Sequence, residues 1–393
     1  MKICFITTTI FNLGGVQRVL SVLASELSKN NKIDIICTNN DFEINRDMYD
    51  LNFDVNIKIN SQLLNKKFTN KVICKVFQKV NLSTGIFNNL TINDIATYIY
   101  YPNEIQNRFI DYFNTQNYDV VIGVEGYYSL LLGIINDKLN AKTIGWQHNS
   151  YDAYLNNKDK YYWKQDKLFE KYIPKLNKYI VLTNDDKVKY KENFGIDCEV
   201  IYNPLSFESH IKSTCNEKNI IFVGRLIEQQ KGLDFLIEAF NIVHKAKEDW
   251  ILDIVGDGPD REKLINNIKK YNLQNNVILI GQSDNVKKHY LESSIFVSTS
   301  RWEGFGLAIT EAMECGLPVV AFDNSGPKEI INKPNLNGIL VENHNVTQLA
   351  NEIIKLIEDD EKRKSISLQS IERAQDFNVD NIIKQWTEII EKL

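Results

Sequence analysis

Ser298-Thr299-Ser300-Arg301-Trp302-Glu303-Gly304-Phe305-Gly306-Leu307-Ala308-Ile309-Thr310-Glu311-Ala312-Met313 is the stretch around which the chain is organised. Ile295-Phe296-Val297 leads into it as an apolar run, two glycines interrupt it, and Leu307, Ile309, Met313 and Leu317 continue as an amphipathic helix. The spacing predicts a strand, a glycine loop and a helix. Such a junction leaves free backbone N–H groups at the helix N-terminus, where they and the helix dipole favour an anion, so a phosphate fits there.

Two carboxylates lie in this stretch, Glu303 in the loop and Glu311 within the helix. At about 1.5 Å per residue they stand roughly 12 Å apart. That is too far for a paired acid and base but suits the two ends of one elongated ligand. Carboxylates accept hydrogen bonds from hydroxyls, so a sugar at one end and a ribose at the other would use both. The ligand inferred is a nucleotide sugar. Taken singly, each carboxylate has a plainer reading: Glu303 as a charge at a helix N-terminus, Glu311 as a residue of a solvated face.

At 393 residues the chain is too long for one ordinary domain and suits two. With 43% hydrophobic and 25% charged residues the composition is that of a soluble globular protein, and no run approaches the roughly 20 apolar residues of a membrane span. Met1-Lys2 runs directly into the strand-like Ile3-Cys4-Phe5-Ile6, so no export signal is expected. The six cysteines are scattered without CxxC spacing and read as reduced core thiols of a cytoplasmic protein. A net charge of -5 argues against nucleic-acid binding.

In the first half, residues 2–10 form a strand, Gly14-Gly15 a loop, and Val16, Val19, Leu20, Leu23 and Leu27 a helix leading to a second strand at 33–37. This is a βαβ unit with parallel strands. Gly14-Gly15 can bring backbone close to a ligand or can simply make a tight turn. Lys67, Lys71, Lys75 and Lys79 recur every four residues beside Phe68, Val72, Val76 and Val80, with Ile73 and Phe77 widening the apolar stripe. Two readings of this basic amphipathic helix stand: its apolar side lies on the core, or it meets anionic lipid or a lipid-linked phosphate. A helix is expected at 104–114, a strand at 118–124, and a further strand at 142–146. That strand places His148 at its carboxyl end, where parallel sheets gather functional side chains.

Asn203-Pro204 breaks the pattern, residues 206–219 hold no element, and the βα rhythm restarts at 219–226. Arg225 and Lys231 flank the next turn, either clamping a diphosphate or lying in a solvated loop. Strands at 250–255, 277–280, 295–300 and 318–322 follow, and Asn324-Ser325-Gly326-Pro327 reads as another glycine loop. The predicted organisation is α/β: an acceptor-side Rossmann-like domain over 1–205, a nucleotide-sugar-binding one over 206–376, and a C-terminal helix over 377–393 packing back on the first. Two parallel-sheet domains facing a central cleft would bring Gly14, Gly15 and His148 to Arg225, Lys231, Glu303 and Glu311.

Gly-Gly-Val-Gln-Arg-Val (14–19), Val-Gly-Arg-Leu with Lys-Gly (223–226, 231–232), Val-Gly-Asp-Gly-Pro (255–259) and Glu-Gly-Phe-Gly-Leu with Glu-Ala (303–307, 311–312) resemble the group 1, or family 4, retaining glycosyltransferases. The resemblance spans nearly the whole chain and is most specific in the second half. It implies a GT-B fold and transfer from a nucleoside-diphosphate sugar with retention at the anomeric carbon. On these residues it makes Arg225 and Lys231 the diphosphate clamp that stabilises the leaving group. It gives Glu311 the ribose hydroxyls, Glu303 with Gly304 and the amides of Phe305, Gly306 and Leu307 the donor sugar and phosphate, the Gly15 amide beside Gly14 a diphosphate contact, and His148 a donor-sugar contact. The Arg225–Lys231 loop, with Gln229-Gln230, is a residue longer than the usual family form. No metal or other cofactor is implied, and the chain has no Asp-x-Asp.

The leading expectation is therefore a hexosyltransferase, cytoplasmic and peripheral on the inner face of the cell membrane. It moves a hexose or N-acetylhexosamine, with UDP as the favoured carrier, onto a glycan or lipid-linked acceptor in surface polysaccharide synthesis. A nucleotide-sugar epimerase or hydrolase on the same fold would instead consume donor without an acceptor sugar. A non-catalytic nucleotide-sugar-binding scaffold is disfavoured by Glu303, Glu311, Arg225 and Lys231 occurring together.

Overall fold

The computed structural model describes residues 1–158 and 160–393, and the chain divides into two units, Met1–Pro204 with Ile382–Leu393, and Leu205–Asn381. In the first unit the strands are β1 (Lys2–Thr7), β2 (Lys32–Cys37), β3 (Asn56–Ile59), β4 (Val120–Val124), β5 (Lys142–Trp146), β6 (Lys178–Val181) and β7 (Glu199–Val200). They form one sheet in the order β3-β2-β1-β4-β5-β6-β7, every pair parallel. Runs such as Ile3-Cys4-Phe5-Ile6 are apolar without alternation because both faces of a parallel sheet are covered. Phe109, Phe113, Tyr128, Leu131, Phe169 and Tyr190 belong to the core on one side of it.

The helix Val379–Glu391 completes this unit. Ile382, Trp386 and Ile390 recur at helical spacing and are buried, and the Trp386 ring meets Trp146 at the end of β5, centroids 5.0 Å apart at 73°.

The second unit holds β8 (Asn219–Val223), β9 (Ile251–Val255), β10 (Val277–Gly281), β11 (Ile295–Ser298), β12 (Val319–Phe322) and β13 (Ile339–Val341), in the order β10-β9-β8-β11-β12-β13, again all parallel. The helix Leu233–Ala246 buries Leu233, Leu236, Ile237, Phe240 and Val243, the apolar stripe predicted for it. Two Rossmann-like parallel-sheet units are the fold class expected from the sequence.

Two details differ from the sequence reading, and of the two readings of the basic helix the one with its apolar side on the core does not hold. Asn324-Ser325-Gly326-Pro327 is not a loop: a helix begins at Ser325 and runs to Ile330, and it tolerates Pro327 because first-turn N–H groups have no intrahelical partner anyway. The edge strands β3 and β13 are short and carry too little periodicity to be read. In the basic helix, Phe68–Thr84, the apolar stripe does not lie on the core: Phe68, Val72, Ile73, Val76, Phe77 and Val80 are all exposed. All six cysteines are buried and unbridged. Among the described residues no helix is long and apolar enough to cross a membrane.

Candidate active site

In the second unit the chain leaves β8 towards β9 and leaves β11 towards β12, so the two neighbouring strands β8 and β11 part company at their carboxyl ends. That is where open parallel sheets hold ligands. The loops that follow these strands carry the residues singled out above. Arg225 follows β8; its side chain is exposed and has no hydrogen-bond or ion-pair partner among the described residues. Gln229 and Gln230 are absorbed into one helical turn, Glu228–Lys231, which Gly232 closes in the left-handed region at φ 62. A side chain at Gly232 would place its Cβ 2.1 Å from the Thr299 carbonyl oxygen, so the turn and the loop after β11 are pressed backbone to backbone.

Hydrogen bonds fasten the two loops together. Thr299 Oγ1 donates to the Lys231 carbonyl at 2.8 Å, and the Arg301 amide donates to the Gln230 carbonyl at 2.8 Å. The Arg301 guanidinium donates to the Glu228 carbonyl (2.7 Å), pairs with Asp234 (2.6 Å) and stacks over the Phe235 ring. Arg301 is thus a structural clasp. The result is that Lys231 Nζ reaches Glu303 Oε2 at 2.6 Å, and Ser300 Oγ donates to the same oxygen at 3.0 Å.

The helix Leu307–Glu314 starts from Gly306, whose φ of 117 lies outside ordinary L-residue space. Ile309 N–H already bonds back to the Gly306 carbonyl at 2.9 Å, leaving the amides before it as the helix's anion-facing donors. Gly304 is buried beside Phe305, which packs edge-on against Phe377 at 5.5 Å. Leu307 is half-buried in the first turn. Glu311 does not sit on a solvated face. It is 2% exposed, and Tyr290 Oη donates to its carboxylate at 3.1 Å.

In the first unit, the Gly14 amide donates to Tyr49 Oη at 3.0 Å and that hydroxyl donates to the Asn12 carbonyl at 3.0 Å, clipping the loop between β1 and the helix Gly15–Ser28. Gly15 is the first residue of that helix. His148 follows β5, with its ring 4.1 Å from that of Trp146 and its Nε2 buried without a hydrogen-bond partner among the described residues. Burial drives its pKa down to about 3, so the imidazole is neutral at physiological pH. Lys71, Lys75 and Lys79 lie along the helix Phe68–Thr84 and Lys67 caps its start.

Sequence reasoning missed Tyr290 and Ser300, the hydroxyls that hold the two carboxylates, and it missed Glu125. Glu125 follows β4, the neighbour of β1, at φ 69, and burial raises its carboxyl pKa. A non-glycine residue held in the left-handed region at a strand's carboxyl end is where functional strain gathers. Only the glutamate's place just after an apolar strand hinted at it.

Residues 207–373 match the family described as glycosyl transferases group 1. Over 392 residues the chain is 28% identical to an uncharacterized glycosyltransferase of Haemophilus influenzae, covering 99% of each. Over 398 residues it is 25% identical to GalNAc-alpha-(1->4)-GalNAc-alpha-(1->3)-diNAcBac-PP-undecaprenol alpha-1,4-N-acetyl-D-galactosaminyltransferase of Campylobacter jejuni, covering 100% of this chain and 99% of that one. With three further curated relatives the match covers about half of their length or less. A crystal structure of an S. aureus TarM mutant in complex with fondaparinux, alpha-GlcNAc-glycerol and UDP matches with a TM-score of 0.76 at 20% identity, covering 99% of both chains, a likeness of fold.

Proposed function

We propose, from the premise that residues 207–373 are a group 1 glycosyl transferase domain and that the two all-parallel units are the GT-B architecture, that the chain is a retaining hexosyltransferase of surface-glycan synthesis. Its donor is a UDP-hexose or UDP-N-acetylhexosamine and its acceptor a hydroxyl of a glycan or lipid-linked glycan. UDP in the TarM complex and the undecaprenol-linked substrate in the Campylobacter enzyme's name support donor and acceptor class.

The observation that carries the reading is the cluster after β8 and β11: among the described residues Arg225 has no hydrogen-bond or ion-pair partner and Lys231 pairs with Glu303 alone, at 2.6 Å. A diphosphate entering there takes both cations, and release of Glu303 from Lys231 lets its carboxylate accept from donor-sugar hydroxyls. In the reaction the bond from C1 to the phosphate oxygen breaks and its electron pair goes to the departing nucleoside diphosphate. Arg225, Lys231 and the amides of Phe305 to Leu307 stabilise that charge. The acceptor hydroxyl attacks C1 from the face the leaving group vacates, and its proton passes to the departing diphosphate. Glu311 takes the ribose hydroxyls. Gly15 by its amide and His148 as a neutral imidazole are proposed ligand contacts of their own unit. Because two side-chain cations supply the charge, the proposal carries no metal.

The test is nucleoside-diphosphate release from a panel of UDP- and GDP-sugars, with and without a glycan acceptor mixture and with EDTA throughout. Proton NMR of the product reads its anomeric configuration. Acceptor-stimulated release from a UDP-sugar, an α-linked product and loss in Arg225→Ala are expected. Donor consumption that ignores acceptor, or donor binding with no release, overturns the reading.

A further inference from the structure

The helix Phe68–Thr84 is turned the opposite way from its hydrophobic pattern. Its inward side carries Cys74 and Asn81, each 1% exposed, with the amide of Gln78 between them at helical spacing. Asn81 Nδ2 donates to the Lys164 carbonyl at 2.9 Å, its Oδ1 accepts from the Phe87 amide at 3.0 Å, and Gln78 Nε2 donates to the Ile99 carbonyl at 3.0 Å. These bonds fix which face is presented outward. That face carries Phe68, 80% exposed, and Val76, 55% exposed, with Val72 and Val80 in the same row.

On a helix, positions 71, 75 and 79 form a row adjoining the 72, 76 and 80 row, so Lys71, Lys75 and Lys79 flank the valines along their whole length. None of these lysines, nor Lys67 at the helix start, has an ion-pair or side-chain hydrogen-bond partner among the described residues, and the helix contains no Asp or Glu. Contiguous exposed apolar surface of this kind marks a binding face. Two classes of occupant differ in what they ask of the lysines. Cores of protein interfaces are depleted in lysine, whereas helices that lie in a membrane surface pair an apolar row with a lysine row whose stems reach along it to the headgroups.

We infer that the outward face of the helix Phe68–Thr84 docks this protein on an anionic lipid surface, the valine row and Phe68 entering the acyl boundary and the lysine row holding headgroup phosphates. This stands apart from the glycosyltransferase reading, because vesicle binding is measured without turnover.

The experiment is sedimentation of the full chain with vesicles of phosphatidylcholine alone and of phosphatidylcholine with phosphatidylglycerol, at low and high salt. Wild type is expected to pellet with the anionic vesicles at low salt and to be released as salt rises. The triple change of Lys71, Lys75 and Lys79 to Gln is expected to weaken binding by about fivefold per lysine, on the order of 100-fold in all. Val72→Glu with Val76→Glu is expected to abolish it. Both sites are solvent-exposed, and thermal melts read whether the fold is kept. As an independent readout, the added tryptophan of Val76→Trp is expected to be quenched by bromine-labelled lipid. Wild type that stays in the supernatant, vesicle binding untouched by the glutamates, or an unquenched tryptophan overturns the assignment. So does a wild-type dimer that becomes monomeric in the glutamate variant without ever binding vesicles, which would make a second copy the occupant.

Discussion

Lys231 Nζ and Glu303 Oε2 lie 2.6 Å apart although 72 residues separate them, and each side chain is only 17% exposed. A half-buried ion pair of this kind is costly to break from one side, because the remaining charge keeps its burial and loses its partner. Lys231→Met and Glu303→Gln are each expected to lower stability by about 1–3 kcal/mol, with the double variant less destabilised than the sum. Urea unfolding of the four proteins measures this. Donor turnover should behave differently, because Lys231 then holds the diphosphate and Glu303 the donor sugar, so the two losses should add; additive stability losses would mean that the pair is not coupled in the free protein.

Arg225 offers the contrasting case. With no hydrogen-bond or ion-pair partner to lose among the described residues, Arg225→Ala should leave the melting curve within about 0.5 kcal/mol of wild type. Nucleoside-diphosphate release should nonetheless fall about 100-fold or more, the scale of removing one donor to a developing anion. Arg225→Lys is expected to recover only part of it, since an ammonium cannot form the planar two-point contact. Full activity in Arg225→Ala would remove this residue from the site.

Gly232 and Gly281 both have positive φ, 62 and 80, but only Gly232 has a carbonyl in the space a Cβ would fill. Alanine at Gly281 should cost about 1 kcal/mol for the backbone conformation alone. Alanine at Gly232 must also push Thr299 away and should cost at least about 2 kcal/mol, with activity falling because Lys231 moves. Equal losses of stability in the two variants would refute the close packing of the loops.

Acid stability of the first unit contains two opposed contributions. Burial lowers His148 from 6.5 to about 3, so below pH 6.5 the unfolded chain binds a proton that the folded one refuses, and stability is lost on acidification. Burial raises Asp186 from 3.8 to about 7, so below pH 7 the folded chain holds a proton that the unfolded one releases, and stability is gained until about pH 3.8. Each slope is about 1.4 kcal/mol per pH unit, and the two offset each other between about pH 4 and pH 6.5. Asp186→Asn keeps an oxygen for the Tyr151 amide, which donates at 2.7 Å, but removes the titration. Its urea midpoint should fall more steeply than that of wild type between pH 6.5 and pH 4.5. Parallel profiles would show that Asp186 titrates normally.

Most of the architecture was legible because parallel strands leave near-continuous apolar runs and their helices leave a 3.6-residue stripe. Gly232 and Gly306 were legible as breaks in those patterns, and Lys231 and Glu303 as charges beside them. The partners of those charges were not. Ser300 looks like any loop serine, and Tyr290, which donates to Glu311, sits in another short helix whose placement is a matter of tertiary packing. Periodicity marked the apolar stripe of the helix Phe68–Thr84 but could not say which way it is turned. The inward polar contacts of Gln78 and Asn81 decide that, and both go to segments distant in the chain.

The contact of Trp386 with Trp146 sets an order on biosynthesis. The first unit begins at Met1 and draws on residues 382–393, so the whole of the second unit, 205–381, is made in between. A nascent chain can assemble most of the first sheet early, yet Trp146 stays without its cover until more than 200 further residues have been translated. The second unit, contiguous in sequence, has everything it needs sooner and can finish first. Folding of the first unit is thereby tied to completion of the second, and a chain interrupted anywhere between them exposes an indole and its apolar surroundings that quality-control factors can bind.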